Sequence, residues 1–520
     1  MWDLNLLASL SATLCIAFLW LRRRRQSPYY ALPLPPGPKP LPILGNILQM
    51  PTRSEAQVYD KWGREHGSSL IHLNIAGTPM IVINSAETAN DLLERRSLIY
   101  SGRPSTVMAF ELMGWHWHLA ALPYGEEFRT GRRLFHREFN PQASLRFRPL
   151  QLDVTHDLLR RLVVSPDQYS EHIIHMAGTS IISVAYGMKV KPHDDPYIAA
   201  AELANRSLVA ALSPGSFYVD YLPFLRYVPE WMPGAGFKAK AREWRGHTEN
   251  VLNMPYDKAK KDYLDGTSTV SFVSQCLEAL SASSGDKKDI ASEEHAIKAA
   301  AASMFNAGVE TTASIIKSAI LAMLRNPEVQ AKAQKELDEV IGHGNLPDFS
   351  HENVLPYVGA VVKEVMRWGA ILPLGLPHLV TEEDAYNGYR IPANSIVVSN
   401  IWAMLHDENV YPNPSAFDPE RFLSSDGQLD PTVPDPALAL FGFGRRICPG
   451  RYMGLASIWI TIASLLAAFD IEKAVDIDGS YIEPSDECIP GIVACPVPFK
   501  ASIKPRSPAA LAAVSATARA

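Results

Sequence analysis

Cysteine is scarce in this chain: five in 520 residues, at Cys15, Cys276, Cys448, Cys488 and Cys495, with no Cys-x-x-Cys pair among them. That spacing argues against a zinc site, a ferredoxin-type cluster or a disulfide framework, and it fits a reducing compartment. A Gly-x-Gly-x-x-Gly fingerprint is also missing, so any electrons the chain needs must come from another protein. A charge excess is missing too. The 49 basic and 55 acidic side chains leave a net charge of -6, which gives no reason to expect nucleic acid. With 47% hydrophobic and 20% charged residues, the composition is that of a globular protein with a substantial core, not of a disordered one. The length allows several domains, but no shift in composition marks an internal boundary.

The amino terminus is the most hydrophobic part. Leu4 to Leu21 is almost wholly apolar and ends in Arg22-Arg23-Arg24-Arg25, about the minimum for a membrane-crossing helix with its positive flank in the cytosol. Asp3 precedes it, and neither a basic n-region nor a small-x-small cleavage site is seen, so an uncleaved anchor is expected rather than a removed signal. Pro33-Leu34-Pro35-Pro36-Gly37-Pro38-Lys39-Pro40-Leu41-Pro42 cannot be helical and reads as a stiff spacer. The expected organisation is therefore an anchor and basic stop over 1–25, a proline-rich hinge over 26–45, one domain over 46–507, and an alanine-rich tail over 508–520 expected to fray. Asn205-Arg206-Ser207 is a formal glycosylation sequon, which a cytosolic body would not expose to the machinery.

Three segments carry chemistry. In Phe441-Gly442-Phe443-Gly444-Arg445-Arg446-Ile447-Cys448-Pro449-Gly450, glycines bracket a cysteine and permit a sharp turn against a flat ligand face. A helix of amphipathic pattern, through Leu455, Ile458, Ile460, Ile462 and Leu465, should follow and favour thiolate at its N-terminus. An isolated cysteine is more often a buried structural thiol. Between Glu293 and Leu324 an apolar, helix-forming stretch is interrupted by Asn306-Ala307-Gly308-Val309-Glu310-Thr311-Thr312, where a hydroxyl can bond a preceding carbonyl, loosen the helix and open a groove. Glu364 and Arg367, three apart, can pair on one helix face.

The complete Phe-x-x-Gly-x-Arg-x-Cys-x-Gly pattern resembles the haem-binding loop of the cytochromes P-450. The other motifs fall in that family's order over residues 30 to 507: proline hinge, basic helix from near Gly125, Gly-x-Glu-Thr-Thr, Glu-x-x-Arg, Pro-Glu-Arg-Phe and cysteine loop. The resemblance implies a mainly α fold with a smaller β portion, preceded by one transmembrane helix, with short strands near 389–392 and 395–398. It implies haem b, with Cys448 as the axial iron ligand and Arg103, Arg132, His378 and Arg446 on the propionates. Thr311 and Glu310 would deliver protons, and Glu364, Arg367 and Arg421 would form a buried lock under the cysteine loop. One departure is Phe128 where the family usually has tryptophan; it should cost one haem hydrogen bond, on the order of 1 kcal/mol.

By the same resemblance, pocket-lining residues are Phe110, Trp115, Ala301, Phe305, Ala307, Leu372, Leu374 and Ile492, and the substrate is a lipophilic small molecule. Arg129, Arg132, Arg133, His136, Arg137, Arg445 and Arg451 would form a basic face for an acidic redox partner: NADPH-cytochrome P-450 reductase, with cytochrome b5 as a second candidate. His116 and His118 read as ordinary surface residues. The implied activity is monooxygenation at the endoplasmic reticulum membrane, with a single-pass anchor and the catalytic domain in the cytoplasm. Two rivals keep the fold: a reductase-independent peroxide isomerase or dehydratase, and a non-catalytic haem-binding protein. Pro373-Leu374-Gly375-Leu376-Pro377-His378 and Asn400-Ile401-Trp402 are similar to fungal members, which suggests secondary metabolism and leaves the substrate open.

Overall fold

The computed structural model describes residues 28–213, 215–282, 287–489 and 491–518; the expected membrane span and its arginine block lie outside the described residues. Among those described, twelve helices have nine residues or more. In chain order they are α1 Glu55–His66, α2 Glu126–Phe139, α3 Arg148–Val164, α4 Tyr169–Tyr186, α5 Pro196–Leu212, α6 Gly236–Leu264, α7 Phe272–Ser281, α8 Lys287–Arg325, α9 Pro327–Ile341, α10 Pro356–Gly369, α11 Arg451–Ala468 and α12 Pro508–Ala516. Local chemistry sets several starts. Asp195 accepts the N–H groups of Tyr197 and Ile198 ahead of α5, whose first residue is a proline, and Ser271 and Ser274 form a reciprocal capping box on α7.

α8, 39 residues long, runs through the core. It packs closely on α4 because Gly308 lacks a side chain: a Cβ there would sit 2.9 Å from Ile181 Cγ1. α8 and α11 are each apolar and long enough to cross a membrane, but both are mostly buried inside the fold. α11 is buried almost all round from Ser457 to Ala468, so the amphipathic pattern read from its leucines and isoleucines is corrected to that of a core helix. Two of its small polar residues, Ser457 and Thr461, meet polar groups of α3 in the core, whereas the Ser464 hydroxyl is buried without a partner. Gln151 of α3 donates to the Met453 carbonyl (2.8 Å) and to Ser457 Oγ (2.7 Å).

The β portion is small. One sheet has the order β1-β2-β6-β3, from Leu70–Ile75 (β1), Thr78–Ile83 (β2), His378–Leu379 (β3) and Ile396–Ser399 (β6), with β2 and β6 parallel. Asp384–Tyr386 (β4) and Tyr389–Ile391 (β5) form a hairpin; the strands expected near 389–392 and 395–398 are β5 and β6, each within a residue of its predicted ends.

Two segments differ from expectation. The proline-rich stretch is no free spacer. The Pro36 carbonyl accepts the His72 N–H at 2.9 Å, Pro33 accepts from Arg390 at 2.8 Å, and Tyr30 lies under the Arg390 guanidinium at 3.4 Å. Proline lacks an N–H but keeps its carbonyl, so the stretch can lie along a sheet edge as acceptor only. The alanine-rich tail does not fray up to Ala516. Ser507 caps α12, whose Ala510 and Val514, four apart, are buried in contact with α3 and α11, and Arg160 bonds the Thr517 carbonyl and hydroxyl.

Candidate active site

The cysteine loop is held from three directions. Within it, the Cys448 N–H donates to the Phe441 carbonyl at 2.8 Å, closing the turn. Gly444 has a φ of +56°, and a Cβ there would lie 2.1 Å from the Leu93 carbonyl oxygen, so only glycine fits. Its N–H donates to Glu94 Oε2 at 2.6 Å. On the other side Arg132 Nη1 donates to the Ile447 carbonyl at 2.6 Å. Gly450 works differently from the sequence argument. Its φ is an ordinary −89°, a Cβ would meet nothing within 4 Å, and its contribution is a backbone N–H near the sulfur ahead of α11. That N–H, Arg132 and Arg451 pull the Cys448 thiol down, but burial outweighs them and pushes it up. The helix terminus alone therefore does not hold a thiolate here. Ligation by a metal would, since a coordinating thiol is deprotonated outright.

Arg103, Arg132, His378 and Arg446 converge, and among the described residues no carboxylate accompanies them. Arg103 donates to the carbonyls of Ala120 (2.9 Å), Leu376 and Pro377 (both 2.6 Å). Arg446 donates to Ser101 (2.9 Å) and Leu122 (2.7 Å), and its Nη1 is buried without a partner. Burial, then the Arg446 charge, lowers Arg103 to about 9; burial, then Arg132, lowers Arg446 to about 10. Buried cations without a counter-ion are costly. A group carrying two carboxylates is what this donor set fits, and haem carries two propionates. His378 donates Nδ1–H to the Tyr100 carbonyl at 2.7 Å, and burial followed by Arg103 and Arg446 holds its pKa well below the usual range. Its ring is thus neutral, with the proton on Nδ1. Phe128 sits under the Arg446 guanidinium at 3.8 Å, so this position, which offers no N–H, supplies a ring face to a neighbouring cation.

Glu364 and Arg367 are both fully buried and paired bidentately at 2.6 and 2.7 Å. Arg421 Nε reaches the same carboxylate at 3.3 Å, and the Asp418 N–H donates to it at 2.8 Å. The two guanidiniums spend their remaining N–H groups on carbonyls of Leu405, Pro412, Pro414 and Ala416. They therefore pin the irregular chain that leads, through Tyr411 and Pro434 (2.9 Å), into the cysteine loop.

A scan against protein-family models matches the Cytochrome P-450 family over residues 35–501. The chain is a cytochrome P-450. It is similar to Cytochrome P-450 monooxygenase 98 of Postia placenta (44% identical, 98% of this chain and 97% of the relative). It is also similar to tryptamine 4-monooxygenase of Psilocybe cyanescens (42%, 98% and 99%) and to Cytochrome P-450 monooxygenase ple1 of Rhodocybe pseudopiperita (40%, 94% and 92%). The family makes it a haem-dependent, oxygen-incorporating oxidoreductase, and these relatives are fungal.

In this P-450 the motif on α8 keeps the helix intact. Thr311 Oγ1 donates to the Ala307 carbonyl at 2.8 Å, the bond the sequence suggested, yet α8 continues without a break, so the expected loosening does not occur. Burial pushes the half-buried Glu310 carboxyl up, with Lys317 opposing. Ala307 and Thr311, four apart, share a face. Ala301 and Phe305 are fully buried, Phe305 on the face opposite Ala307, with its ring edge-on to Tyr186 of α4 at 6.2 Å. Both side chains pack within the core, and neither presents surface to an open cavity. Trp115 is likewise fully buried, stacked on Trp117 at 5.4 Å, and Leu374 packs on the sheet beside Leu73 and Val82. Phe110 packs half-buried against the core in a wide turn over Val107–Leu112, and Leu372 is half-buried. Ile492 is carried by a segment in which Ala494 bonds both Ile371 (2.8 Å) and Ser314 of α8 (2.8 Å).

The loop histidines divide. His116 is exposed, whereas His118 is enclosed and held down to about 4 by burial, so it is no surface residue. Of the expected basic face, Arg129, Arg132, Arg133, His136, Arg445 and Arg451 line one hollow of about 450 Å³ with Tyr124, Pro449 and Tyr452. Arg137 turns away to Glu138 and to Cys276 Sγ (2.9 Å). Glu94 was missed by sequence reasoning: a carboxylate that meets a backbone N–H 350 residues away leaves no local signal.

Proposed function

We propose that this P-450 inserts one oxygen atom from O2 into a lipophilic small molecule, using NADPH electrons delivered by NADPH-cytochrome P-450 reductase, with cytochrome b5 as a second possible donor. The observation that carries it is the pairing of two faces. A cationic cluster without acids suits the propionates of haem b, and a basic hollow beside Pro449 suits an acidic electron donor. Bound haem supplies the redox iron at which oxygen chemistry takes place, with Cys448 Sγ as its ligand. The chain's own residues do the rest. Thr311 Oγ1, now resting on the Ala307 carbonyl, donates a proton once it leaves that carbonyl, and Glu310, whose raised pKa leaves it readier to carry a proton, resupplies it. The half-buried apolar residues Phe110, Leu372 and Ile492 exclude water and favour an apolar substrate. The intact Glu310-Thr311 pair argues against a peroxide isomerase or dehydratase, and a non-catalytic haem protein would need neither relay nor hollow.

The setting fits the endoplasmic reticulum membrane, with the 4–21 span as anchor and the body in the cytoplasm. Phe224, Tyr227 and Trp231 project from the segment after α5 at 62%, 74% and 80% exposure, as an entrance facing lipid would. A role in secondary metabolism belongs to the same reading. The deciding experiment reconstitutes the protein with haem, reductase and NADPH and profiles metabolites. Cys448→Ala should abolish the reduced carbon-monoxide band of the thiolate type, and Thr311→Ala should keep that band while diverting NADPH electrons to peroxide. Unchanged product per NADPH in the threonine variant removes Thr311 from the mechanism.

A further inference from the structure

Asn306 is a buried amide, 6% exposed, in a stretch of α8 otherwise filled by Met304, Phe305 and Val309. Such a group is costly unless its hydrogen bonds are made. Its Nδ2 donates to Asn205 Oδ1 of α5, and Asn205 Nδ2 reaches back to the Asn306 backbone carbonyl at 3.4 Å. In an α-helix that carbonyl is also the acceptor for the N–H of Glu310, four residues on. The next carbonyl, Ala307, takes the Thr311 hydroxyl. Two successive carbonyls under the acid–alcohol pair thus carry a second donor each, one of them from another helix.

A third element reaches the same place. The His118 ring lies beside Asn306, its Nδ1 taking the Ala120 N–H at 3.3 Å. The Leu119 N–H donates to Ser303 Oγ at 2.9 Å, and Ser303 in turn bonds the Ala299 carbonyl at 2.7 Å. α5 and the 115–122 segment therefore meet α8 at Asn306, one turn before Glu310, and the 115–122 segment also at Ser303, two turns before it. α5 also leads directly into the exposed segment bearing Phe224, Tyr227 and Trp231.

We propose that Asn205 and Asn306 are positioning residues for proton delivery: their reciprocal amide pair fixes the carbonyl on which Glu310 hangs, so that a shift of α5 reaches the turn carrying Glu310 and Thr311. This rests on the monooxygenase reading above. A 3.4 Å contact is at the limit of a hydrogen bond, so a small displacement of α5 makes or breaks it.

The test uses the holoenzyme with NADPH-cytochrome P-450 reductase and no added substrate, and measures NADPH consumed and peroxide formed, in H2O and in D2O. Asn205→Ala should shift the peroxide-to-water ratio at least about two-fold and alter the solvent isotope effect, with the reduced carbon-monoxide band intact. Asn205→Asp keeps the acceptor for Asn306 Nδ2 but removes the donor to the carbonyl, and should behave alike. Adding Asn306→Ala to Asn205→Ala should cost no more than the worse single change, because one contact is shared. Independently of turnover, hydrogen exchange at the Glu310 and Thr311 amides should speed up about five-fold in the Asn205→Ala holoenzyme relative to wild type, as expected for one lost hydrogen bond. Unchanged peroxide ratio, isotope effect and exchange in both variants, with the band intact, overturn the proposal. If the wild type consumes no NADPH, the monooxygenase reading fails, and the exchange measurement still decides whether the pair holds this turn.

Discussion

Phe128→Leu tests how this protein retains its cofactor with a phenylalanine ring under the Arg446 guanidinium. The ring lies 3.8 Å from the Arg446 guanidinium carbon and is 4% exposed. Leucine keeps an apolar filler but removes the π face. In a largely desolvated site that contact is worth up to about 2 kcal/mol, a factor of roughly 30 in an equilibrium constant. The stack also aims the guanidinium whose Nη1 has no protein partner, so the loss should be felt as weaker haem binding rather than as unfolding. Transfer of haem to excess apomyoglobin reads this directly: the variant should release haem about 10- to 30-fold faster, with a melting temperature of the apoprotein within a few degrees of wild type. Phe128→Trp, which keeps a ring and offers an N–H, should hold haem as well as wild type or up to about five-fold better. If leucine releases haem at the wild-type rate, the stack contributes nothing and the argument fails.

Three other outcomes are expected. Glu364→Gln leaves Arg367 and Arg421 without their anion in a fully buried site; it should cost about 3–5 kcal/mol, seen as a large drop in the denaturant midpoint and in recovered haem. His378 is held neutral in the folded protein, its pKa depressed by burial and two arginines. Its contribution to apoprotein stability is therefore present above the unfolded value near 6.5 and is lost as pH falls below that toward the folded pKa. Melting temperatures from pH 7.5 to 5.5 should fall more steeply in wild type than in His378→Phe, the comparison removing the parallel effect of His118 and His406. Val514→Asp puts a charge at the buried seam of α12 and should cost a few kcal/mol; an unchanged melting curve would show that the helix is dispensable.

Much of the site was legible because its chemistry is written in contiguous residues. A thiolate loop needs glycines within a few positions of its cysteine, and Glu364 with Arg367 share a helix face at a spacing of three. What could not be read was which way α8 faces. Its flanks are apolar all round, so nothing distinguished Ala307, beside Thr311, from the fully buried Ala301 and Phe305. Arg137 looked like its basic neighbours, but its partner Cys276 is 139 residues away. The proline segment reads as a spacer because a carbonyl that accepts a bond leaves no trace in residue type. The alanines after Ser507 carry too little hydrophobic contrast to announce a docked helix.

The acid-free cluster of Arg103, Arg132 and Arg446 has a consequence for the life of the chain in the cell. Newly made polypeptide that has not met its prosthetic group carries uncompensated like charges inside its own body, so it stays in a self-repelling state open to quality control. Porphyrin supply would then govern how much of this enzyme persists, and a starved cell would clear the chain instead of storing it.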